Sequence, residues 1–277
     1  MRTTMKRILK PILVTLCGYP AGRASLEIIH RTLGGKRQWH RHHPYDAVNG
    51  ISTGGFLPAW LLRTGSLSDA YNSGYAGCQP SCLRRGLSSI PDPGRFSYLD
   101  VGCGKGRSLA IAAELPFRRI GGVEIAPEVA AVAKANAVVL HRRYPDRTPI
   151  EVIAGDATRA AFPDGDLVVF LYHSFGKPLL ELFVSRLVAA GAGREIYFVY
   201  ENPVNGPVLD ATPGFTRWHA ETVACDPAEV GFAPDDSETI VVWHWGGQQS
   251  VPRPSGADAR IVGSDWRALL DPSASVQ

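Results

Sequence analysis

The run SYLDVGCGKGR at residues 97–107 decides the fold of this chain. It begins as a short apolar strand with an acidic residue, Asp100, near its end, and it continues into glycines at alternate positions. A helical pattern of small apolar residues follows at 108–113. Glycines allow a ligand to approach the backbone, and the N–H groups at the start of a helix are free to bind it. The run therefore predicts a nucleotide-type pocket between a strand and a helix.

The spacing of the glycines excludes two familiar phosphate-binding motifs. A dinucleotide fingerprint that starts at Gly102 requires glycine at position 107, where this chain has Arg107. A P-loop requires Gly-Lys followed by Ser or Thr, whereas Lys105 lies between two glycines. What remains is the pattern acid-x-Gly-x-Gly-x-Gly. A chance glycine-rich turn is the alternative, and the downstream sequence has to decide between the two.

Length and charge limit the number of domains and the kinds of binding partner that the chain can have. The chain has 277 residues, of which 45% are hydrophobic and 20% charged, so it can form one large α/β domain with an extension. Residues 1–43 carry nine Lys or Arg and a single acidic residue, whereas the net charge of the whole chain is only +3. This basic arm predicts contact with an anionic surface, lipid or nucleic acid, and a solvated basic helix is the alternative.

Cysteine usage and hydropathy indicate a cytoplasmic protein. The five cysteines are scattered and odd in number, which does not fit a disulfide framework. No run of 18 apolar residues is present, so no transmembrane helix is expected, and residues 5–16 are interpreted as a short amphipathic segment. The histidines at 40–43 have no carboxylates or cysteines nearby, which favours a polar linker, and we expect no metal site.

From residue 95 onward, predicted strands and helices alternate, which is typical of a parallel sheet covered on both faces. The apolar runs predict seven strands, at 97–101, 119–125, 150–154, 167–172, 196–203, 215–225 and 239–245. The fold class is therefore α/β, with a doubly wound, mostly parallel seven-stranded sheet that ends in an antiparallel hairpin. Three regions follow: an N-terminal helical and loop extension with a linker (1–94), the α/β domain (95–246) and a disordered tail (247–277).

Polar residues follow the ends of the first four strands, where a doubly wound sheet binds its ligand. Asp100 and the glycine loop end the first strand, and Glu124 ends the second, where a carboxylate accepts hydrogen bonds from ribose hydroxyls. Asp156 ends the third and can accept from an adenine amino group. The alternatives are a solvated strand-end acid for Glu124 and a turn-capping aspartate for Asp156. The fourth strand ends in Tyr172 and His173.

Taken together, these motifs resemble the class I, seven-strand S-adenosylmethionine (SAM) dependent methyltransferases over residues 95–246. More narrowly, the chain is similar to a group of bacterial methyltransferase-like proteins. The shared stretches are an upstream loop at 45–56, LDVGCGKGR, PFRRIGGVE at 116–124, LYHSFG at 171–176 and YENPV at 200–204. The fourth motif of that group reads Leu-Tyr-Asn-Pro-Phe-Gly, whereas this chain has His173-Ser174 in place of Asn-Pro.

The resemblance implies SAM as the cofactor and assigns roles to individual residues. His173 is the candidate base, since an unperturbed histidine has a pKa of about 6.5, and the alternative is a loop histidine satisfied by backbone. Tyr172, Glu201 and Asn202 are candidates to orient the methyl acceptor, and the loop at 45–56 is expected to cover the site. The expected cofactor-binding residues are Thr53, Asp100, Gly102, Cys103, Gly104, Gly106, Glu124, Ile125, Asp156 and Ala157.

The function that these motifs predict is methyl transfer from SAM to an acceptor that the sequence does not identify. A protein, small molecule, lipid or nucleic acid all remain possible acceptors. An aminopropyl transferase is disfavoured, because only Asp164 and Asp166 precede the fourth strand and a diamine pocket needs several acids there. The remaining alternative is a non-catalytic SAM-binding or membrane-recruited scaffold that uses the basic arm, which the altered pair His173-Ser174 favours.

Overall fold

The computed structural model describes residues 42–59, 62, 74–172, 174, 176–232 and 236–246, and the backbone of 259–260 and 267–268. Its central feature is a seven-stranded sheet of order β3-β2-β1-β4-β5-β7-β6. The strands are β1 (Ser97–Val101), β2 (Arg119–Glu124), β3 (Ile150–Ala154), β4 (Leu167–Tyr172), β5 (Ile196–Glu201), β6 (Phe215–Ala224) and β7 (Ser237–Trp245). Neighbours among β1 to β5 are parallel, whereas β7 is antiparallel to both β5 and β6. The predicted fold class is thus confirmed.

The helices of the described residues connect these strands and cover them. They are α1 (Pro44–Asn49), α2 (Pro80–Leu87), α3 (Arg107–Ala112), α4 (Pro127–Arg143), α5 (Lys177–Ala189) and α6 (Pro207–Asp210), with a short 3₁₀ turn at Pro93–Arg95. Each α-helix except α3 has proline in its first turn. Proline is tolerated there because the first N–H groups of a helix have no partner within the helix. The sequence positions of these prolines therefore explain where the helices begin.

Alternate residues of the central strands supply two separate hydrophobic cores, one on each face of the sheet. On one face, Tyr98 and Phe170 pack with Leu83 of α2 and Ile111 of α3. On the other face, strand residues such as Leu171 pack with α5. The segment upstream of β1 is thus part of the core, since Leu83 and Leu87 of α2 are buried there. The predicted boundary at residue 94 stays a prediction.

The edge strand β3 departs from the expectation that both faces of the sheet are covered. Ile153 is 57% exposed, and Glu151 on the same face is exposed as well. The cause is local: residues 155–166 connect β3 to β4 through turns instead of a helix. Coverage on both faces therefore holds for the central strands and not for this edge.

Several predictions fall on residues outside the described part of the chain. They concern the basic arm up to Arg41, the part of the predicted Gly- and Ser-rich linker (64–77) that precedes residue 74, and the candidate base His173. Within the tail, the structure describes Ala259–Arg260 and Arg267–Ala268, which pair as short antiparallel strands β8 and β9. Across the residues that are described, none of the helices has the length and apolar character needed to cross a membrane.

Candidate functional site

A cavity opens at the carboxyl ends of β1, β2 and β4. This is where the sheet order changes direction, because β2 and β4 lie on opposite sides of β1. Predicted site residues from four separate segments meet there, so the fold brings together positions that are far apart in sequence. The predicted residues that line the cavity are Asp100, Gly102, Cys103, Glu124, Ile125, Asp156, Ala157 and Tyr172.

Gly102 is required by the close approach of the residues that follow β4. Its φ angle is +78°, and a Cβ placed on it would lie 2.5 Å from the side chain of Ser174. The hydroxyl of Ser174 donates a hydrogen bond to the carbonyl oxygen of Val101 at 2.7 Å, which ties this loop to the end of β1. Ser174, one of the two residues that depart from the related group, therefore lines the cavity and helps to shape it.

Asp100 is a buried carboxyl at the base of the cavity, and only 3% of its surface is exposed. Ser108 at the start of α3 donates a hydrogen bond to its Oδ2 atom. Burial raises the pKa of Asp100 to about 7, the hydrogen bond from Ser108 opposes that rise, and the charge of Glu124 adds to it. Asp100 consequently changes its charge near neutral pH.

Glu124 ends β2 and is held by backbone N–H groups. Its Oε2 accepts from the N–H of Gly104 and its Oε1 from that of Ala126, each at 2.9 Å. Burial raises the pKa of Glu124, whereas these backbone hydrogen bonds lower it. A carboxylate oxygen accepts more than one hydrogen bond, so both oxygens retain capacity for neighbouring hydroxyls of a ligand. The side chain is oriented before any ligand binds.

Asp156 follows β3, where it caps a turn and also lines the cavity. Its Oδ1 accepts from the backbone N–H of Thr158 at 2.8 Å and from the Thr158 hydroxyl at 2.7 Å. This is the turn-capping arrangement that the sequence left open for an aspartate at this position. The residue also lines the cavity, so capping fixes the side chain at the site and does not remove it from there.

A cover formed by residues 44–57 and 74–78 lies on the glycine loop. Asp46 of α1 is buried and accepts from the N–H of Thr53 at 2.7 Å, from the Thr53 hydroxyl, and from the N–H of Gly54 at 2.8 Å. Arg107 then joins the cover to α3, since its Nε donates to the hydroxyl of Thr53 at 2.7 Å and its Nη1 to the carbonyl of Cys78 at 3.1 Å. Thr53 is thus an anchor of the cover and does not line the cavity.

Asn136 provides a second anchor, which the sequence did not indicate. Its Nδ2 donates to the carbonyl oxygens of Ser52 at 3.1 Å and Lys105 at 2.9 Å, and its Oδ1 accepts from the N–H of Ser52 at 3.0 Å. The Lys105 ammonium donates to the carbonyl of Gly54 at 2.7 Å. The only sequence signal was a polar residue on the buried face of α4.

The remaining predicted residues lie elsewhere. The ring of Tyr75 covers Gly104, where a Cβ would collide with it, and Gly106 packs against Ala133 of α4. Asn202 has a φ angle of +47° and donates its N–H to the carbonyl of Thr239 at 2.7 Å, so it ends β5 in a turn. These residues shape the site or its surroundings and do not line the cavity. The cavity wall also includes residues that no sequence motif indicated, among them Tyr75, Cys78, Arg107, Ser108 and Phe170.

Comparisons with known proteins agree with this geometry. Residues 99–176 match the model of a family described as "Methyltransferase domain", and that match spans β1 to the start of α5. No curated protein matches the chain. The sheet order is that of a Rossmann-like methyltransferase fold, and the match assigns a methyltransferase domain to residues 99–176. The chain is a SAM-dependent methyltransferase, with SAM as its cofactor.

Solved structures with a similar fold come from several bacteria. The ribosomal protein L11 methylase of Lactobacillus delbrueckii subsp. bulgaricus is 14% identical, with a TM-score of 0.41 over 60% of this chain and 78% of that one. Magnesium protoporphyrin IX methyltransferase of Synechocystis PCC 6803, with bound SAM, is 14% identical, with a TM-score of 0.42 over 59% and 76%. The N-methyltransferase NodS of Bradyrhizobium japonicum WM9 is 13% identical, with a TM-score of 0.41 over 60% and 94%.

Proposed function

We propose that the cavity beyond β1, β2 and β4 is the SAM site, and that the reacting methyl group faces the end of β4. The observation that carries this proposal is a single cavity that joins the glycine loop to Glu124 and Asp156. Glu124 would accept from the two ribose hydroxyls and Asp156 from the adenine amino group. Tyr172 lines the same cavity from the end of β4, where an acceptor would enter.

The hydrogen-bonding groups and charges that line the cavity suit SAM. Asp100, Gly102 and Cys103 line the cavity at the turn after β1, so a ligand can approach the backbone there. Glu124 offers acceptor oxygens in a fixed position, which suits a pair of vicinal hydroxyls. Asp100 is partly ionised near neutral pH and places negative charge where a cationic ligand would be stabilised. When bound, SAM supplies a methyl group on a positively charged sulfur.

The residues of the chain contribute alignment and exclusion of water. The cover holds Tyr75 and Arg107 over the glycine loop, which keeps solvent from this part of the cavity. Methyl transfer requires the acceptor to be in line with the departing sulfur, and fixed groups on a rigid sheet provide that alignment. Tyr172 would orient the acceptor, and the role of His173 as a base stays a prediction.

The acceptor, the location and the role of the basic arm belong to this proposal as well. We infer a cytoplasmic protein, because five cysteines that are scattered and odd in number do not fit a disulfide framework. Contact of residues 1–43 with anionic surfaces remains a sequence-based prediction. Transfer of labelled methyl from SAM into a fractionated cell extract would identify the chemical class of the acceptor.

Calorimetric titration of the full chain with S-adenosylhomocysteine tests the site directly. We expect saturable binding by the wild type, no measurable binding by Glu124→Ala, and normal binding by Glu151→Ala. Glu151 is the matched control, since it is an exposed glutamate on the neighbouring strand β3, outside the cavity. No binding by the wild type at millimolar ligand, or equal affinity of the two variants, would contradict the proposed site.

A further inference from the structure

Two buried carboxyl groups lie behind the wall of the cavity. Glu201 ends β5 and is completely buried, and Glu238 lies near the start of the adjacent strand β7 with 7% of its surface exposed. A carboxylate oxygen of each residue and the Sγ atom of Cys82 lie within 4.8 Å of one another. Two ionised carboxylates this close together in the protein interior would be strongly destabilised, so the pair requires a compensating positive charge or a proton.

The pair accepts hydrogen bonds from two neighbouring groups, and its environment favours a proton as the compensating group. The backbone N–H of Gln79 donates to Glu201 at 2.9 Å, and the hydroxyl of Tyr172 donates to Glu238 at 2.8 Å. Burial and the nearby charge of Glu238 raise the pKa of Glu201 well above its usual range. Two buried carboxyl groups this close together are stabilised when they hold one proton and one negative charge between them.

Arg107 is the basic side chain whose charge acts on Glu201, and it does not replace that proton. The charge of Arg107 lowers the pKa of Glu201, but less than burial and Glu238 raise it. The guanidinium is also engaged with Thr53 and with the carbonyl of Cys78. The other titratable groups that face the pair from neighbouring elements are neutral in their usual protonated forms: Cys78, Cys82, Tyr98, Tyr172 and Cys225.

Tyr172 connects this pair to the cavity. Tyr172 lines the cavity, and its hydroxyl donates a hydrogen bond to Glu238. We propose that Tyr172, Glu238 and Glu201 form a proton-accepting relay for an acceptor whose reactive atom carries a proton. This inference rests on the proposed SAM site, and it narrows the acceptor to a protic nucleophile such as an amine or a hydroxyl compound.

The proton and electron balance of the step is complete within the site. The lone pair of the acceptor atom forms the bond to the methyl carbon, and the electrons of the broken carbon–sulfur bond stay on sulfur. The acceptor atom gives its proton to the Tyr172 oxygen, while the hydroxyl proton of Tyr172 moves to Glu238. The pair then holds two protons and no net charge, which burial favours, and it returns one proton to solvent as the product leaves. Tyr172 is the catalytic residue, and the two glutamates act through it.

Infrared spectroscopy of the full chain tests the shared proton without any acceptor. At about pH 8, where Asp100 with its pKa near 7 is mostly ionised, we expect a C=O stretching band from a protonated carboxyl group in the wild type. The band should disappear in Glu201→Gln and in Glu238→Gln, and it should shift in Tyr172→Phe, which removes the hydrogen bond to Glu238. Glu229→Gln is the matched control and should leave the band unchanged, since this buried glutamate accepts from Ser81, outside the pair.

Methyl transfer from labelled SAM into cell extract, measured against pH, supplies the second readout. We expect Tyr172→Phe and Glu238→Gln to transfer at least about tenfold more slowly than the wild type and to have altered pH profiles. Their dissociation constants for S-adenosylhomocysteine should stay within about threefold of the wild-type value, which separates failure of the relay from failure of the SAM site.

Three results would overturn the relay. They are a wild-type spectrum without a protonated carboxyl band, a band that survives both glutamate substitutions, and a stoichiometric divalent metal ion in the purified protein. Variants that transfer methyl at the wild-type rate with an unchanged pH profile would also overturn it. If the wild type fails to bind S-adenosylhomocysteine, the proposed SAM site is wrong, whereas the infrared result still decides whether the two glutamates share a proton.

Discussion

The substitution Asp100→Asn should stabilise the free protein and weaken its ligand binding. The pKa of Asp100 is about 7 in the folded chain, compared with 3.8 for the ordinary carboxyl group. Because the folded state binds the proton more tightly, the unfolding free energy of the wild type falls as pH rises from 3.8 to 7, and it changes no further above 7. Asparagine keeps the shape of the side chain but cannot ionise, so the unfolding free energy of the variant does not fall in this way as pH rises.

The expected magnitude follows from the two pKa values. Between pH 5 and pH 8, the unfolding free energy of the variant should rise relative to that of the wild type by about 2 to 3 kcal/mol. Urea denaturation of both proteins at these two pH values measures this change in the unfolding free energy. The control substitution is Asp146→Asn, because Asp146 is exposed. A difference between variant and wild type that stays the same at both pH values, or that shrinks as pH rises, would refute the reasoning.

Three further predictions concern the cavity and its cover. Affinity of the wild type for S-adenosylhomocysteine should fall below pH 7 by up to about tenfold per pH unit, because protonated Asp100 no longer balances the cationic amino group, and Asp100→Asn should remove this dependence. Asn136→Ala should lower the unfolding free energy by about 2 kcal/mol in urea denaturation, because the N–H of Ser52 and two carbonyl oxygens lose their partner; a loss below about 0.5 kcal/mol would contradict this role. Gly102→Ala should cost about 2 kcal/mol by the same measurement, from its positive φ and from collision with Ser174, and Ser174→Gly in the same chain should restore part of that loss.

The sequence predicted the sheet well because its strands carry strong local signals. The bounds predicted for β1, β3 and β4 agree with the structure, since each is an apolar run between polar or turn-forming residues. The end of β5 was predicted at Pro203, two residues beyond its end in the structure. Asn202 adopts a left-handed backbone conformation there, which few residues other than glycine adopt and which an apolar pattern does not reveal.

The strand-end residues were predictable, whereas the contacts that hold the cover were not. Asp100, Glu124 and Asp156 each follow a recognisable strand, so the topology alone places them at one edge of the sheet. The bonds from Arg107 to Thr53 and from Asn136 to Ser52 join residues that are 54 and 84 positions apart. Single polar residues at such separations follow no periodic pattern, and their partners are fixed only when the chain folds.

The distribution of charge explains why these buried acids persist despite their cost. Asp100 and the pair Glu201 and Glu238 add negative charge at and behind the cavity, whereas Arg107 and Lys105 are engaged with the cover. A cationic ligand between these layers relieves the mutual repulsion of the acids, which no neutral ligand does. The buried acids therefore lower the stability of the free protein, and binding of a cationic ligand beside them restores it. SAM, whose sulfur is positively charged, should therefore bind more tightly than S-adenosylhomocysteine, whose sulfur is neutral. The difference in affinity should shrink in Asp100→Asn, because that substitution removes one of the negative charges that attract the positively charged sulfur.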